Sequence, residues 1–268
     1  MTSLVAIACE TGGTEDQDYI ISDEARVKIM AALPDKAPAS SAKPRKLLIF
    51  DLNVGYGGHS SRFYANFAFQ EMGRKTGAFD VIISRDPAVF EKERLAEFDP
   101  VFLNNTVGNQ FENPNLRQNL LEFVYGGGGL MGMHGTSVAF WRWGESGGDD
   151  WPEFGRMPGG RGANHRDAEE RVYIKIDSPG HPLVAPFPQE GFELRDEFFR
   201  VTDPYARNSV RVLLSIDVGK TDLSAMPHER EDRDYAVAWV RHYGRGQVFY
   251  ATVAHNPYHF WDPTMLNF

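Results

Sequence analysis

The chain has 268 residues, of which 42% are hydrophobic and 24% are charged, and its formal net charge at pH 7 is −9. These proportions are typical of a globular protein, and the length suits one large α/β domain or two small ones. The acidic balance argues against a nucleic-acid or anionic-membrane partner. No apolar run approaches the roughly 20 residues of a membrane helix. The single cysteine, Cys9, excludes an internal disulfide and a Cys-rich metal site.

The first 45 residues are predicted to form an appendage that consists of a helix and a linker. The segment "DEARVKIMAALP" has apolar residues at helical spacing, with Ser22 as the N-cap and Pro34 as the stop. A polar linker rich in Pro, Ala and Ser follows it. Because the opening "MTSLVAIAC" lacks basic residues and a long apolar core, it does not fit a signal peptide. We therefore expect a cytoplasmic protein, unless the natural N-terminus differs and directs export.

Residues 46–268 are predicted to form one α/β domain that begins with alternating strands and helices. Four apolar runs are typical of buried parallel strands, and they cover residues 46–52, 79–84, 99–105 and 130–134. Helical spacing predicts a helix that ends at Gly77 and another that begins at the cap Asn113-Pro114. This alternation favours a parallel sheet with helices on both faces.

The second half of the chain has a different pattern. Residues 141–166 are rich in Trp, Gly and Pro and are predicted to form a long irregular segment, which usually has a functional reason. Further strands are predicted at 171–176, 198–202, 210–216, 236–243 and 246–253. The sequence "GRG" predicts a tight hairpin between the last two strands. A final helix opens at Asp262-Pro263 and is expected to be cut short.

Three histidines directly follow predicted strands. His59 comes after the first strand, His134 after the fourth and His255 after the last. One such histidine is more often a capping or packing residue, but ligands bind at the carboxyl ends of parallel strands. His134 also lies at a glycine-flanked bend, where many α/β enzymes place a nucleophile. We therefore expect the three imidazoles to line one pocket.

The residue types around these histidines limit the chemistry of that pocket. Imidazoles can bind a divalent metal, exchange protons or hydrogen-bond to sugar hydroxyls. The adjacent Asp196 and Glu197 are the best carboxylate candidates, and the alternative is a charge at a strand edge. Aromatic side chains that could stack on a sugar, or simply pack, are Tyr56, Trp141, Trp143, Trp151 and Trp261. The glycine-rich segments have neither Walker nor dinucleotide-binding spacing, so nucleotide binding is not expected.

Several rare motifs occur together and in order from Pro44 to the end of the chain. They include "GGGGLMGMHGTSVAFWRW", "WPEFGRMPGGRGANH", "FELRDEFF" and "AVAWVRHYGRGQVFYATVAHNPYHFW". In these motifs the chain resembles the ThuA-like, or trehalose-utilisation, family. The resemblance implies an α/β fold for residues 46–268: a flavodoxin-like three-layer sandwich, similar to class I glutamine amidotransferase domains. The central sheet would be mostly parallel, with a C-terminal antiparallel hairpin.

The resemblance also assigns residues to family motifs by position. His134 matches a "G-I-H" histidine, His165 a "G-H-P" histidine, Glu197 a "D-E" glutamate and His255 a "G-H" histidine, and His59 fits a further histidine after the first strand. Two motifs depart from the family: "HGT" follows the bend instead of "H-A-A/S", and "GGRGANHRD" replaces "GYFDGHP". Amidotransferases of this fold carry a catalytic cysteine at the bend, whereas this chain has His134 there. Glutamine hydrolysis by a thiol is therefore not expected.

The family is associated with trehalose and related disaccharides through 3-keto sugar intermediates. The resemblance thus implies an enzyme that acts on a keto-sugar or keto-disaccharide by isomerisation, or by hydrolysis or elimination, through an enediolate. The catalytic candidates are His134, Glu197 and His255, and the substrate-binding candidates are Tyr56, His59, Trp151 and His165. A divalent metal is a possible cofactor, and a homo-oligomer is a possible assembly. The alternative is a non-catalytic carbohydrate-binding or regulatory module on the same fold.

Overall fold

The structure is a computed structural model that describes residues 20–142, 144–145, 147–224 and 230–268. Its strands are β1 (Lys46–Phe50), β2 (Asp80–Ser84), β3 (Pro100–Asn104), β4 (Gly129–Met133), β5 (Trp141–Arg142), β6 (Gly148–Asp149), β7 (Arg161–Asn164), β8 (Arg171–Ile176), β9 (Phe192–Arg195), β10 (Arg200–Thr202), β11 (Arg211–Ile216), β12 (Ala236–Tyr243) and β13 (Gly246–Ala251). Its helices are α1 (Asp23–Ala32), α2 (Ser61–Thr76), α3 (Lys92–Leu95), α4 (Pro114–Tyr125), α5 (Pro152–Arg156) and α6 (Pro263–Leu266).

Nine strands form one central sheet in the order β2-β1-β3-β4-β13-β12-β11-β8-β9. The first five are parallel, and their order is the flavodoxin-like arrangement that the family resemblance implies. The remaining four pair antiparallel. The fold class is therefore confirmed, but the antiparallel part is larger than the predicted hairpin of β12 and β13. The strand β9, at the far edge, was not predicted.

The sheet is covered on both faces, as the alternation of strands and helices predicts. On one face α4 packs against alternate residues of the parallel strands, with Leu120 and Val124 buried beside Leu103 and Leu130. On the other face α2 contributes Ala65 and Ala68. The predicted caps are present: the Asn113 side chain accepts from the N–H of Asn115 at 2.9 Å, and Gly77 ends α2 in a left-handed conformation. Hydrophobic burial on two faces thus fixes the three layers.

The helix of the predicted N-terminal appendage packs against this core. Ser22 caps α1 as expected, accepting from the N–H of Ala25 at 3.2 Å. Ile29 is fully buried in the cluster that also contains Ile49 and Phe260. The helix is therefore held by packing against the domain rather than by the linker alone. Residues 1–19, with Cys9, lie outside the described residues.

The segment 141–166 is more ordered than its composition predicts. It contains β5, β6, α5 and β7, although Trp143 lies outside the described residues. Trp151 is 5% exposed and packs against Phe140 and Phe154 in the main hydrophobic core. The aromatic side chains in the middle of the segment are thus part of the hydrophobic core. No described helix is long and apolar enough to cross a membrane.

Asp99 ties together the amino-terminal edge of the parallel sheet, opposite the strand ends that carry the histidines. Its carboxylate accepts hydrogen bonds from the N–H of Lys46 at 3.0 Å and from Arg45 at 2.9 Å, and it pairs with Lys43 at 2.7 Å. Partial burial opposes ionisation, but these partners outweigh it and lower the pKa of Asp99 to about 2. The ionised carboxylate therefore stabilises the folded state.

We predict that Asp99→Asn lowers the free energy of unfolding at neutral pH by roughly 1 kcal/mol, because solvent screens part of the interaction. The folded pKa lies below the unfolded value of about 4, so the contribution is present above that value and is lost as the pH falls towards the folded pKa. Urea denaturation of both proteins across this range should show the difference shrinking on acidification. A difference that stays constant with pH would contradict the assignment.

Candidate functional site

His134 lies at the bend directly after β4, at the carboxyl edge of the parallel sheet. Its backbone has φ of +43°, a left-handed conformation that is uncommon outside glycine. A Cβ on the next residue, Gly135, would come within 2.7 Å of Val107, so the bend also needs a glycine there. The carbonyl of His134 accepts a hydrogen bond from the buried Tyr250 hydroxyl at 2.7 Å. The strained bend is thus held firmly by its surroundings.

The environment of the His134 imidazole fixes its tautomer. Its Nδ1 lies 2.9 Å from the carbonyl oxygen of Thr252, which can only accept, so Nδ1 carries the proton. In the neutral ring the lone pair is therefore on Nε2. This atom is buried and lies 3.3 Å from Oε1 of Glu197, in a geometry that forms no hydrogen bond. In the neutral form of the ring, two electron-rich atoms thus lie close together in the site.

The structure brings His59, His134 and His255 into one cluster, which confirms the prediction from strand ends. The ring centroid of His59 lies 4.7 Å from that of His134 and 4.9 Å from that of His255, and the last two are 5.1 Å apart. The loop with His59 follows β1, beside the point where the strand order switches. The Nε2 of His59 lies 3.2 Å from the hydroxyl of Tyr56, which is partly exposed.

Glu197 completes the cluster from the far edge of the sheet. Its Oε2 lies 3.8 Å from Nε2 of His255, and its Oε1 lies 3.3 Å from Nδ1 of His165. The ring of Phe199 packs against both His134 and His165, with centroids 4.9 Å away in each case. The carboxylate thus has the imidazoles of three histidines as neighbours.

The neighbouring Asp196 determines where Glu197 and His255 lie. Its fully buried carboxylate accepts hydrogen bonds from the backbone N–H groups of Ala254 at 2.6 Å, His255 at 3.3 Å and Asn256 at 3.0 Å. Nε2 of the buried His259 lies 3.0 Å from the same group. Ala254 has φ of +82°, a strained conformation that these bonds hold. Asp196 therefore joins the end of β9 to the loop after β13.

Asn105, which the sequence analysis treated only as the end of a strand, links three of the loops. Its Oδ1 accepts from the N–H of Gly135 at 2.8 Å, and its Nδ2 donates to Oγ of Ser61 at 2.9 Å. Nδ2 also lies 3.4 Å from the carbonyl oxygen of Ala254. The pair of asparagines that ends "VFLNN" was the available signal, because two amides after a buried strand need partners there.

The electrostatics of the cluster follow from burial and mutual proximity. Burial, and then the charge of His134, lower the pKa of His255, and the same causes lower the pKa of His59 well below its ordinary value. Burial opposes ionisation of Glu197, but contacts with His134 and His165 outweigh it and hold its pKa far below the usual range. Burial also opposes the charge on His165, yet the hydrogen bond with Glu197 raises its pKa. Burial thus favours the neutral form of His59 and His255, and the surrounding imidazoles favour the ionised form of Glu197.

The expected aromatic contacts are only partly in place. Tyr56 lies beside His59, and His165 reaches the site from the end of β7, with a side chain that is 40% exposed. The ring of Trp151 is enclosed by aromatic side chains, so its assignment as a substrate-binding residue stays a prediction that this packing does not favour. Trp261 packs against Tyr64. In the described part of the segment 141–166, His165 is the predicted site residue that contacts the cluster.

His59, His134, Glu197 and His255 form a group whose possible metal-ligating atoms all lie within 4.8 Å of one another. Imidazole nitrogen and carboxylate oxygen are common ligands of divalent transition metals. The same atoms can accept and donate protons. The group is therefore chemically suited either to hold a cation or to carry out acid–base chemistry.

We predict that Asp196→Asn lowers the free energy of unfolding by about 1–3 kcal/mol, because its buried backbone donors lose a charged acceptor and the new amide N–H faces one of them. Urea denaturation at neutral pH measures the difference. Asp80→Asn, at an exposed position of β2, is the matched control and should change the stability little. Equal stability of both variants would show that Asp196 does not hold the loop after β13.

Comparison with known proteins agrees with this architecture. Residues 46–268 match the profile of the ThuA family, which is described as trehalose utilisation. A protein from Bacteroides uniformis described as ThuA-like is 21% identical, with a TM-score of 0.65 over 86% of this chain and 93% of that one. A second such protein, from Parabacteroides merdae, is 16% identical, with a TM-score of 0.58 over 84% of this chain and 88% of the other.

A cytoplasmic protein from Salmonella typhimurium is 14% identical, with a TM-score of 0.55 over 84% of this chain and 94% of that one. At these identities the structural neighbours show a shared fold. The comparison with curated proteins gives no match. Because the family profile covers most of the chain, including every residue of the histidine cluster, the chain belongs to the ThuA trehalose-utilisation family.

Proposed function

We propose that this protein is a carbohydrate-active enzyme that acts on a keto-sugar or keto-disaccharide at the cluster of His59, His134, Glu197 and His255. The observation that carries the proposal is the convergence of three imidazoles and one carboxylate at the carboxyl edge of the sheet. Membership of a trehalose-utilisation family supports a carbohydrate as the substrate. The keto group is the feature of such a sugar on which these side chains can act.

The proposed reaction begins with removal of a proton from the carbon next to the keto group. The electron pair of that C–H bond moves towards the carbonyl, and its oxygen becomes the oxyanion of an enediolate. The neighbouring hydroxyl then transfers its proton to this oxyanion and becomes the new carbonyl as a proton returns to the former carbonyl carbon, which moves the keto group along the ring and is isomerisation. Loss of a leaving group from the next carbon instead gives elimination. Both outcomes need a proton acceptor and a group that stabilises the oxyanion.

The cluster can supply both requirements. An imidazole or Glu197 can accept the proton directly, or these groups can hold a cation that stabilises the oxyanion. His255 and His165 are the histidines that open towards solvent, with side chains 26% and 40% exposed, whereas His134 is fully buried. The substrate therefore enters from the solvent side, past His255 and His165, and His134 contacts it from the buried side of the site.

The geometry favours an enzyme over a binding module. A module that only holds a sugar needs aromatic faces and hydroxyl partners rather than converging titratable groups. In this protein Trp151 lies in the core, and the aromatic residues found beside the cluster are Tyr56 and Phe199. A cysteine-dependent amidotransferase is disfavoured because His134 occupies the bend where that chemistry needs a thiol.

We predict that the protein catalyses exchange of the C–H proton next to the keto group of a 3-keto-disaccharide in D2O, measured by NMR. Deuterium incorporation reports enediolate formation whether isomerisation or elimination follows. His255→Ala and Glu197→Gln should each lower the exchange rate ~10²–10⁴-fold, because the reactive groups of the cluster are lost. The exposed His242→Ala is the matched control and should retain the wild-type rate.

Thermal melting of each variant shows whether the fold survives the substitution. If the folded His255→Ala protein keeps the wild-type exchange rate, the cluster does not take part in the reaction. A wild-type protein that binds keto-sugars without catalysing exchange would contradict the enzyme and favour the binding module.

A further inference from the structure

We infer that His59, His134, Glu197 and His255 bind one divalent transition-metal ion. The inference relies on the proposed function only for the role of the ion, which would be to stabilise the enediolate oxygen. The binding itself is argued from the side chains. Their possible ligand atoms come from four separate segments of the chain and lie within 4.8 Å of one another.

The contact between His134 and Glu197 is the first reason. The Thr252 carbonyl holds the proton on Nδ1 of His134, so Nε2 of the neutral ring carries a lone pair, and a Glu197 oxygen lies 3.3 Å from it. Two electron-rich atoms at this distance repel each other unless a cation lies near both of them. The oxygen lies off the axis of Nε2 and forms no hydrogen bond with it, and a metal ion on that axis could be bound by both atoms. A metal ion bound by both atoms satisfies them together.

The other two histidines give the second reason. Nδ1 of His59 and Nδ1 of His255 are buried and have no hydrogen-bond partner among the described residues. Buried polar atoms are normally paired, and an unpaired one indicates an unmet partner. Each ring therefore has an available nitrogen in a cluster that already contains one carboxylate.

The dimensions suit a small transition-metal ion after a modest adjustment. Zn²⁺ bonds to imidazole nitrogen and carboxylate oxygen are ~2.0–2.2 Å long, so the ligand atoms of a tetrahedral site lie ~3.3–3.6 Å apart. The possible ligand atoms of the cluster lie within 4.8 Å of one another, so the most distant pair closes by about 1 Å when its side chains rotate towards the ion. Three imidazoles select Zn²⁺, Ni²⁺, Co²⁺ or Fe²⁺ over Mg²⁺ and Ca²⁺, which prefer all-oxygen sites.

The surroundings resemble those of known metal sites in one further respect. Metal-binding histidines usually donate their second N–H to a carbonyl or another polar group, which orients the ring. His134 donates to the Thr252 carbonyl, and His59 has the Tyr56 hydroxyl 3.2 Å from Nε2. The partly exposed side of His255 leaves one face open, where an oxygen of the sugar could reach the ion.

The test is Zn²⁺ binding to chelator-stripped full-length protein, measured by isothermal titration calorimetry. We expect one ion per chain, a higher melting temperature with Zn²⁺, and no comparable effect of Mg²⁺. His59→Ala and Glu197→Gln should weaken Zn²⁺ binding by more than the ~10–100-fold that loss of an outer partner causes. The exposed His242→Ala should bind as the wild type does and controls for weak surface binding.

Two results would overturn the inference: no stoichiometric binding of Zn²⁺, Ni²⁺, Co²⁺ or Fe²⁺ to folded wild-type protein, or equal Zn²⁺ affinity in the wild type and both cluster variants. These results are independent of turnover. If keto-sugar proton exchange persists in stripped protein that binds no metal, the metal site is contradicted and the proposed enzymatic function still stands. Zn²⁺ binding that depends on the cluster, with no exchange, would support the metal site and contradict the proposed reaction.

Discussion

The buried carboxylate of Asp196 is the interaction on which the site depends. The strand β9 lies at the far edge of the sheet, four strands away from β13. By accepting hydrogen bonds from the backbone of residues 254–256, Asp196 joins these distant parts of the fold. Glu197 is the next residue, so the same bonds place its carboxylate against His134. Without this anchor the cluster would lack its carboxylate, and the loop that carries His255 would lose its acceptor.

The parallel half of the sheet supplies the imidazoles in a simpler way. In a flavodoxin-like order the carboxyl ends of β1, β4 and β13 lie at one edge, and each is followed by a short loop with a histidine. The amide of Asn105, after β3, connects the bend at Gly135 with the loop after β13. The family resemblance relates this bend to one that carries a thiol in amidotransferases. In this chain an imidazole with a fixed tautomer stands there, and the chemistry available is that of proton transfer and metal binding.

Sequence reasoning predicted the parts of the structure that depend on local pattern. Alternating apolar runs and helix caps predicted the parallel strands, α2 and α4. The tendency of ligands to bind at the carboxyl ends of strands predicted that His59, His134 and His255 lie together. The position of Glu197 beside the histidines could not be predicted from local pattern, because it depends on β9 and on long-range hydrogen bonds from the backbone to Asp196. The burial of Trp151 could not be predicted either, since composition alone does not distinguish a buried tryptophan from one that lines a pocket. The same limit applies to α1, whose packing depends on distant residues such as Phe260.

The central claim is that four side chains from distant segments form one metal-binding reactive centre. Anomalous diffraction at the zinc absorption edge, from crystals of the full-length protein grown with stoichiometric Zn²⁺, tests this claim most directly. The account predicts one strong peak about 2.0–2.2 Å from Nε2 of His134 and from a carboxylate oxygen of Glu197. Peaks confined to exposed histidines such as His242, with none between the imidazoles of the cluster, would contradict it.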